Sequence, residues 1–255
     1  MAAASVVRVE HVTTRLDSLL VHRDISLEVA AGEIVGLVGG SGSGKTTLMR
    51  EMLGLQEPTA GQVYLFGEPL FPERTEVKHL LRDRVGVLFQ GGALFSALDV
   101  YDNVAFPLRE HGVSEDLIRD LVRMLLGLAG LTGAAAHRYP AELSAGMVTR
   151  AGLARSLALG PDLLLFDAPT TGLDPVAGQE FVELVRSLHE DRGFSVFMIT
   201  HDLMTLRDLC QRVAVLADQQ LVACGPLAEV LESRHPFIQR FFQGARGRQV
   251  LAQGR

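Results

Sequence analysis

The chain has 255 residues, which is enough for one or two domains and a large buried core. Its hydrophobic content of 47% is ordinary for an α/β protein. The formal net charge of −6 gives no electrostatic reason to expect a nucleic-acid partner or an anionic membrane surface. The sequence has neither an apolar signal segment nor a run of roughly 18 apolar residues. We therefore expect a cytoplasmic protein that reaches a membrane only through a partner.

Short stretches with the alternation or apolar content of strands recur along the chain. They cover residues 6–11, 25–29, 34–38, 62–66, 85–89, 163–166, 195–200 and 212–216. Helices are predicted over about 44–53 and over 176–189, and the apolar spacing between about 96 and 158 is also helical. Strands that alternate with helices, with one helical insertion, predict an α/β fold with a parallel-sheet core.

A glycine-rich segment follows the third predicted strand. Residues 39–46, GGSGSGKT, match the phosphate-loop pattern G-x-x-x-x-G-K-[ST] without a mismatch. Backbone N–H groups of such a loop approach phosphates closely, and the helix N-terminus behind them adds partial positive charge. We expect Lys45 to contact the β- and γ-phosphates of ATP and Thr46 to ligate Mg²⁺. The predicted nucleotide-binding residues are Gly39, Gly40, Ser41, Gly42, Ser43, Gly44, Lys45, Thr46 and Thr47.

The apolar run 163–166 ends in Asp167. A buried parallel strand delivers a carboxylate to a bound metal in this way, so Asp167 is a predicted Mg²⁺ ligand; the alternative is a carboxylate that caps Thr170 or Thr171. ATP-hydrolysing proteins with this pattern normally carry glutamate at the next position, where it activates the attacking water. This chain carries Ala168 there, which cannot accept a proton.

The segment 143–147, LSAGM, precedes Asp167 by about 20 residues and opens a predicted helix. With the phosphate loop upstream, the chain resembles the nucleotide-binding subunits of ABC transporters over roughly residues 5–235. The family signature is LSGGQ, so Ala145 replaces its first glycine and Met147 its glutamine. The resemblance implies a P-loop NTPase fold, with a RecA-like parallel-sheet core, an N-terminal antiparallel β subdomain and a helical signature subdomain.

The resemblance also assigns roles to residues outside the phosphate loop. It places Gln90 at the Q-loop, where it would contact Mg²⁺ and the attacking water, and His201 at the switch that holds the γ-phosphate. Across a subunit interface, Ser144 and Gly146 would donate to the γ-phosphate, and Asp174 of the D-loop would connect the two sites. The implied metal ligands are Thr46, Gln90 and Asp167. A homodimer is expected, and a heterodimer stays open.

Three departures from the family pattern bear on activity. Without a base at Ala168, we expect ATP–Mg²⁺ binding with poor hydrolysis, because general-base assistance contributes about 10²–10⁴-fold; an engineered and a natural origin of this alanine both stay open. Ala145 would weaken interface closure if its position needed a positive φ. The aromatic residue that often stacks on adenine is replaced by Leu16 or Thr14, so we expect relaxed nucleotide selectivity.

Residues 89–111, FQGGALFSALDVYDNVAFPLREH, and the tail HPFIQRFFQG resemble the ATPases of Mla/MCE-associated phospholipid transport systems of double-membraned bacteria. This resemblance implies a multi-span permease of the MlaE type, a periplasmic MCE protein and a small STAS-type regulatory protein, at the inner face of the inner membrane. A groove within 91–108, lined by Leu94, Phe95 and Phe106, would receive a short permease helix. The alternative is that these side chains belong to the core of the helical insertion.

We predict a nucleotide-binding domain over residues 5–240, with the helical subdomain of about 96–158 inserted, and a flexible tail over 241–255. Two other functions stay open: the ATPase of another ABC importer or exporter, for example for amino acids, and a regulatory subunit that binds ATP without hydrolysing it. An ABC protein of DNA repair or translation would call for tandem cassettes, a long coiled coil or a basic surface, and the sequence has none of these.

Overall fold

The structure of the chain is a computed structural model that describes residues 5–71 and 81–244. Within these two ranges, no helix has the length and apolar character needed to cross a membrane. Most of the tail that was predicted to be flexible, residues 245–255, lies outside the described residues.

The strands come in two groups along the chain, at its start and after residue 160. They are β1 (Ser5–Leu16), β2 (Leu19–Ala30), β3 (Ile34–Gly39), β4 (Ala60–Leu65), β5 (Glu68–Pro69), β6 (Val85–Leu88), β7 (Leu163–Asp167), β8 (Ser195–Ile199), β9 (Arg212–Ala217) and β10 (Gln220–Gly225).

The α-helices follow strands or fill the stretch between β6 and β7. They are α1 (Lys45–Met52), α2 (Val100–Glu110), α3 (Glu115–Leu128), α4 (Ala145–Ser156), α5 (Pro175–Arg192), α6 (Leu203–Leu209), α7 (Leu227–Leu231) and α8 (Pro236–Phe242). The chain divides into two compact units, Met1–Leu81 with Ser195–Arg255, and Arg82–Phe194.

The first unit contains an antiparallel sheet with the strand order β2-β1-β4-β5. Strand β1 is longer than the predicted 6–11, because a register shift between Val9 and Val12 continues it past His11. His11 has a φ of 49° at this irregularity. The buried positions change from odd to even numbers there, so Val9 and Val12 both face the core. The period-two pattern that predicted the strand breaks at that point.

The other strands of the first unit follow the order β10-β9-β3-β8. Strand β3 pairs in parallel with both β8 and β9, as the apolar runs predicted, and all six of its residues are buried. Strand β10 pairs antiparallel with β9 at the edge. It was not predicted, because most of its side chains are partly exposed and lack a strict alternation.

The C-terminal helices complete the core of the first unit. Ile238 and Phe242 of α8 are fully buried in one apolar cluster with Val38 of β3 and Val215 of β9. The spacing of four residues places both α8 side chains on one face of the helix. The segment HPFIQRFF is therefore anchored behind the strand that leads into the phosphate loop.

The second unit is built on the parallel pair β6 and β7, with Val85 opposite Leu163 and Leu88 opposite Phe166. Phe166 packs on Phe181 of α5, with ring centroids 6.3 Å apart. On α4, a Cβ built at Gly152 would lie 2.7 Å from Leu88, so glycine allows close helix–strand packing. Helices α2 and α3 lie within the stretch predicted to be helical.

Candidate functional site

The phosphate loop joins β3 to α1 through residues that need a left-handed backbone. Gly42 has a φ of 73° and Gly44 a φ of 98°. A side chain at Gly44 is excluded twice, by this conformation and because a Cβ would lie 2.4 Å from Nε2 of His22. Ser43 N–H donates to the carbonyl of Gly40 at 3.2 Å, which closes the loop.

Lys45 is buried inside this loop. Its ammonium donates to the carbonyl oxygens of Gly39 at 3.0 Å and Gly40 at 2.7 Å. Helix α1 begins at Lys45, and no described side chain caps its first turn. The N–H groups of such a turn have no partner within the helix and attract anions, so the loop fits a bound phosphate chain. The side chain of Thr46 is exposed, so its hydroxyl is accessible to a bound metal ion.

A cavity of about 370 Å³ borders the outer side of the loop, at Gly40 and Ser43. The sequence did not predict its opposite wall, which Asp218, Phe237 and Arg240 supply. The aromatic ring of Phe237 lies 3.8 Å from a Cβ built on Gly40. The sequence of the C-terminal segment carries no information about the loop that this segment approaches.

His201 lies at the same edge of the sheet as the phosphate loop. It follows β8, where Ile199 is opposite Leu37 of β3, and Thr200 N–H donates to the Leu37 carbonyl at 3.2 Å. Neighbouring parallel strands that end together bring their following loops together. His201 is exposed there, directly before Asp202, which caps α6.

In the second unit, Gln90 and Asp167 lie where two neighbouring parallel strands end at the same edge. Leu88 is opposite Phe166, so the two strands end at one edge, with Asp167 as the last residue of β7. Gln90 is exposed and opens a tight turn, in which Gly91 and Gly92 have φ of 66° and 73°. The strand ends therefore bring two of the three predicted metal ligands to one edge of this unit.

Ala168 stands at the position of the expected base and has a left-handed φ of 49°. Left-handed backbone costs a non-glycine residue about 1–2 kcal/mol. The Ala168 carbonyl accepts a hydrogen bond from Thr171 N–H at 3.1 Å, which closes a turn directly after Asp167. The methyl group is nearly buried and offers no group that takes a proton.

Ser144 is the N-cap of α4, and its hydroxyl accepts a hydrogen bond from Met147 N–H at 3.3 Å. Ala145 is the first residue of the helix and is not among the non-glycine residues with positive φ. The condition under which Ala145 was expected to hinder interface closure is therefore not met in this structure.

The D-loop and the signature begin neighbouring helices. The Asp174 carboxylate caps α5 by accepting from Val176 N–H at 3.0 Å and Ala177 N–H at 2.9 Å. A Cβ built on Gly146 would lie 3.6 Å from that of Ala177, so the first turns of α4 and α5 are in contact. Ser144 and Asp174 are both exposed at these helix starts.

An apolar groove of about 370 Å³ lies in the second unit, between β6, α2 and α4. The rings of Phe95 and Phe106 line it with centroids 5.0 Å apart, and they are 47% and 40% exposed. These two residues are groove residues, as predicted, and the alternative that they belong to the core is wrong. Leu94 is half-buried and is not among the residues that line the groove, so that part of the prediction is wrong.

Two residues that the sequence did not single out shape this groove. Asn103 is fully buried, and its side chain bonds both N–H and carbonyl of Phe95, at 2.7 Å and 3.1 Å. Arg155 of α4 donates to the carbonyls of Gly92 and Ala93, each at 2.9 Å. Burial lowers the pKa of the Arg155 guanidinium. A polar residue on the apolar face of α2 was the available signal for Asn103.

Of the two candidates for the adenine-contacting position, only one is accessible. Leu16 is exposed at the end of β1, whereas Thr14 is completely buried. Thr14 therefore cannot contact a nucleobase, and the expectation narrows to apolar contact with Leu16.

The family described as ABC transporter matches residues 22–171. The intermembrane phospholipid transport system ATP-binding protein MlaF of Haemophilus influenzae is 36% identical over 241 residues, covering 94% of this chain and 91% of that protein. The methionine import ATP-binding protein MetN of Ralstonia nicotianae is 40% identical over 214 residues, or 84% of this chain, which spans 61% of that protein. A dimeric, post-hydrolysis structure of the ATP-binding cassette MJ0796 with ADP and phosphate is 29% identical, with a TM-score of 0.79 over 87% of this chain and 98% of that chain. The predicted P-loop NTPase fold is confirmed.

Proposed function

Because the chain belongs to the ABC transporter family, whose cassettes bind and hydrolyse ATP, we propose that it is the ATP-binding subunit of a phospholipid transporter. The observation that carries this proposal is the match to a phospholipid transport ATP-binding protein over nine-tenths of both chains. The exposed groove at Phe95 and Phe106 supports this proposal, because the groove offers an apolar binding surface for a membrane partner.

The phosphate loop supports the assignment of nucleotide roles. Lys45 exchanges the carbonyl contacts of its own loop for the phosphates, and the N–H groups of the first turn of α1 hold them. Thr46, Gln90 and Asp167 are the residues that would hold Mg²⁺. When bound, this ion neutralises the charge of the β- and γ-phosphates. His201 is the proposed γ-phosphate contact, because its strand ends beside β3.

The dimer face is proposed at the helix starts that carry Ser144, Gly146 and Asp174, because the first turns of α4 and α5 are in contact. With Ser144 and Asp174 exposed side by side, a second subunit can approach both at once. The dimeric state of the MJ0796 cassette supports a homodimer. A permease of the MlaE type, and through it MCE and STAS-type proteins at the inner membrane, are the proposed further partners.

Slow hydrolysis is part of the proposal, because Ala168 offers no base. Phosphate release from the unchanged chain is compared with that from Ala168→Glu, and Ala168→Gln serves as a control of equal size that takes no proton. We expect glutamate to raise kcat by about 10²–10⁴-fold and glutamine to leave it unchanged. Equal rates for all three proteins, at equal ATP affinity, would show that this position does not limit hydrolysis.

The permease contact is tested by making the groove polar with Phe95→Ser and Phe106→Ser. We expect both variants to lose co-purification with an MlaE-type permease while they retain ATP binding. Leu117→Ser is the matched control, because this apolar residue of α3 is 52% exposed and lies outside the groove. Loss of the permease in the control as well would contradict a groove-specific contact.

A methionine importer is the second candidate, and the 40% identity with MetN favours it. Reconstitution with the cognate permease separates the two functions, since ATP-dependent movement of phospholipid between vesicles supports the first and uptake of methionine the second. A regulatory subunit is the third candidate. It predicts ATP-driven dimer closure without measurable turnover even after Ala168→Glu.

A further inference from the structure

Three polar side chains are fully buried behind the phosphate loop. Thr14 lies on β1, His22 on β2 and Glu51 on α1, and each has 0% of its surface exposed. Their neighbours on the same elements, such as Val12, Ile25 and Met52, are equally buried and apolar. A charged or polar group at such a depth is unfavourable unless other groups satisfy it.

The three side chains form a continuous chain of contacts that ends on the phosphate loop. The Thr14 hydroxyl donates to Oε1 of Glu51. Oε2 of Glu51 lies 3.3 Å from Nδ1 of His22, and Nε2 of His22 lies 3.0 Å from the carbonyl oxygen of Gly44. The contacts therefore link β1, α1 and β2 to the residue that precedes Lys45.

The chemistry of the groups fixes the direction of these contacts. A carbonyl oxygen only accepts, so Nε2 of His22 carries a hydrogen and donates to Gly44. Nδ1 of His22 and Oε2 of Glu51 lie 3.3 Å apart, and neither atom has a hydrogen-bond partner among the described residues. The Thr14 hydroxyl supplies a hydrogen bond to Oε1 of Glu51, and the Gly44 carbonyl accepts the one from Nε2 of His22.

The series of contacts from Thr14 through Glu51 and His22 reaches the phosphate loop at Gly44. Its carbonyl also accepts Leu48 N–H at 2.9 Å, so it takes part in the first helical turn as well. Its φ of 98° is a conformation that is held by its surroundings rather than by the helix. The hydrogen bonds from His22 and from Leu48 N–H therefore both constrain the peptide group that joins Gly44 to Lys45.

Stability alone does not account for this arrangement. Replacing a buried ionic or polar pair by well-packed apolar residues is often neutral or stabilising. The contact with the Gly44 carbonyl also connects the buried group to the phosphate loop. We propose that Thr14, Glu51 and His22 are positioning residues, which hold the Gly44 carbonyl and thereby orient Lys45 and the loop N–H groups for the phosphates of ATP. This inference rests on the proposed role of the loop in ATP binding.

Two single substitutions of His22 each retain one of its two contacts and remove the other. The amide of glutamine reaches the position of Nε2, so His22→Gln retains the donor to Gly44. The shorter amide of asparagine occupies the position of Nδ1, so His22→Asn retains only the contact with Glu51. We expect His22→Gln to bind ATP within about twofold of the unchanged chain and His22→Asn to bind about three- to tenfold more weakly. The reverse order, or equal affinity of the two variants, overturns the proposal.

The double variant His22→Leu with Glu51→Leu separates positioning from folding. It leaves no unpaired buried charge, so we expect a thermal midpoint at or above that of the unchanged chain. ATP affinity should nevertheless fall about three- to tenfold, with faster amide hydrogen exchange in residues 40–46. A stable double variant with unchanged affinity and exchange overturns the proposal. His189→Leu, in the other unit, is the control and should leave ATP affinity unchanged.

Lys45→Ala distinguishes failure of this inference from failure of the proposed function. If Lys45→Ala loses ATP binding while the double variant retains it, only the positioning role is wrong. If Lys45→Ala binds ATP as tightly as the unchanged chain, the loop is not the phosphate site, and both are wrong.

Discussion

The backbone N–H of Thr171 donates to the carbonyl of Ala168 at 3.1 Å, and Ala168, at the start of this turn, has a φ of 49°. The turn is made by the backbone and does not depend on the side chain at position 168. A glutamate at that position would therefore enter a turn that is already formed, directly beside the end of β7. The left-handed backbone at position 168 sets the direction of the side chain there, regardless of whether that side chain can accept a proton.

Ala168→Gly tests this separation of turn and side chain. Glycine removes the cost of the left-handed backbone but increases the freedom of the unfolded chain, so we expect the free energy of unfolding to change by less than about 1 kcal/mol. ATP hydrolysis should not rise, because no proton acceptor is added. Urea unfolding and phosphate release measure both quantities. A gain in hydrolysis with glycine would mean that backbone strain, and not the missing base, slows the reaction.

Asp174 has two proposed tasks, as the cap of α5 and as a contact between subunits. Asp174→Ala should lower the free energy of unfolding by about 1 kcal/mol, because Val176 and Ala177 lose the acceptor of their N–H groups. Asp174→Asn keeps an acceptor and should retain stability. If ATP-dependent dimerisation, measured by light scattering, falls in Asp174→Asn as well, the charge acts across the interface. Equal dimerisation of both variants and the unchanged chain would limit Asp174 to its capping role.

His189 makes the second unit sensitive to acid. Its Nδ1 is buried and has no hydrogen-bond partner among the described residues, and its ring lies 5.8 Å from Phe194. Burial lowers the pKa of His189. The unfolded chain, with a histidine pKa of about 6.5, therefore binds more protons, and this contribution to stability is lost as the pH falls below that value.

We expect His189→Leu to reduce the drop in thermal midpoint between a pH of about 8 and about 5.5. The measurement at the higher pH is the internal control, because the imidazole is neutral there in both states. An identical drop in the variant and the unchanged chain would place the acid sensitivity elsewhere.

The two cysteines should differ in reactivity. Burial raises the pKa of the Cys210 thiol to about 12. Cys224 is exposed as a residue. Partial burial of its thiol group raises the pKa of the thiol, and the Arg212 guanidinium, 3.1 Å from the sulfur, opposes this rise. Iodoacetamide at a pH of about 8 should add one group to the folded protein, at Cys224, and two groups after denaturation. Arg212→Gln should slow the single addition. Two additions at equal rates in the folded protein would contradict this ranking.

The parts of the site that the sequence predicted are those that depend on local backbone geometry. The segment 39–46 specifies its own loop, because the glycines and the helix start lie within eight consecutive residues. Asp167 was predicted for a similar reason, since it ends an apolar strand, whereas Gln90 was assigned only through the family resemblance. Such features need no knowledge of distant partners.

Features that depend on contacts between distant segments were not predictable in this way. Thr14 was considered for contact with adenine, but the register shift in β1 turns it into the core toward Glu51, 37 residues later. Leu94 was assigned to the groove together with Phe95 and Phe106, but after the turn at Gln90 only Phe95 and Phe106 line it. In each case a local irregularity of the backbone, invisible in the apolar pattern, decided where the side chain lies.

Arg155 gives the signature helix a direct connection to the groove. Its guanidinium holds the carbonyls of Gly92 and Ala93 and lies 5.7 Å from the ring of Phe95. Helix α4, which carries Arg155 near its end, carries Ser144 at its start. At 1.5 Å per residue, this helix is about 18 Å long. One helix therefore connects the side chain that contacts the Phe95 ring with the serine hydroxyl at the opposite end.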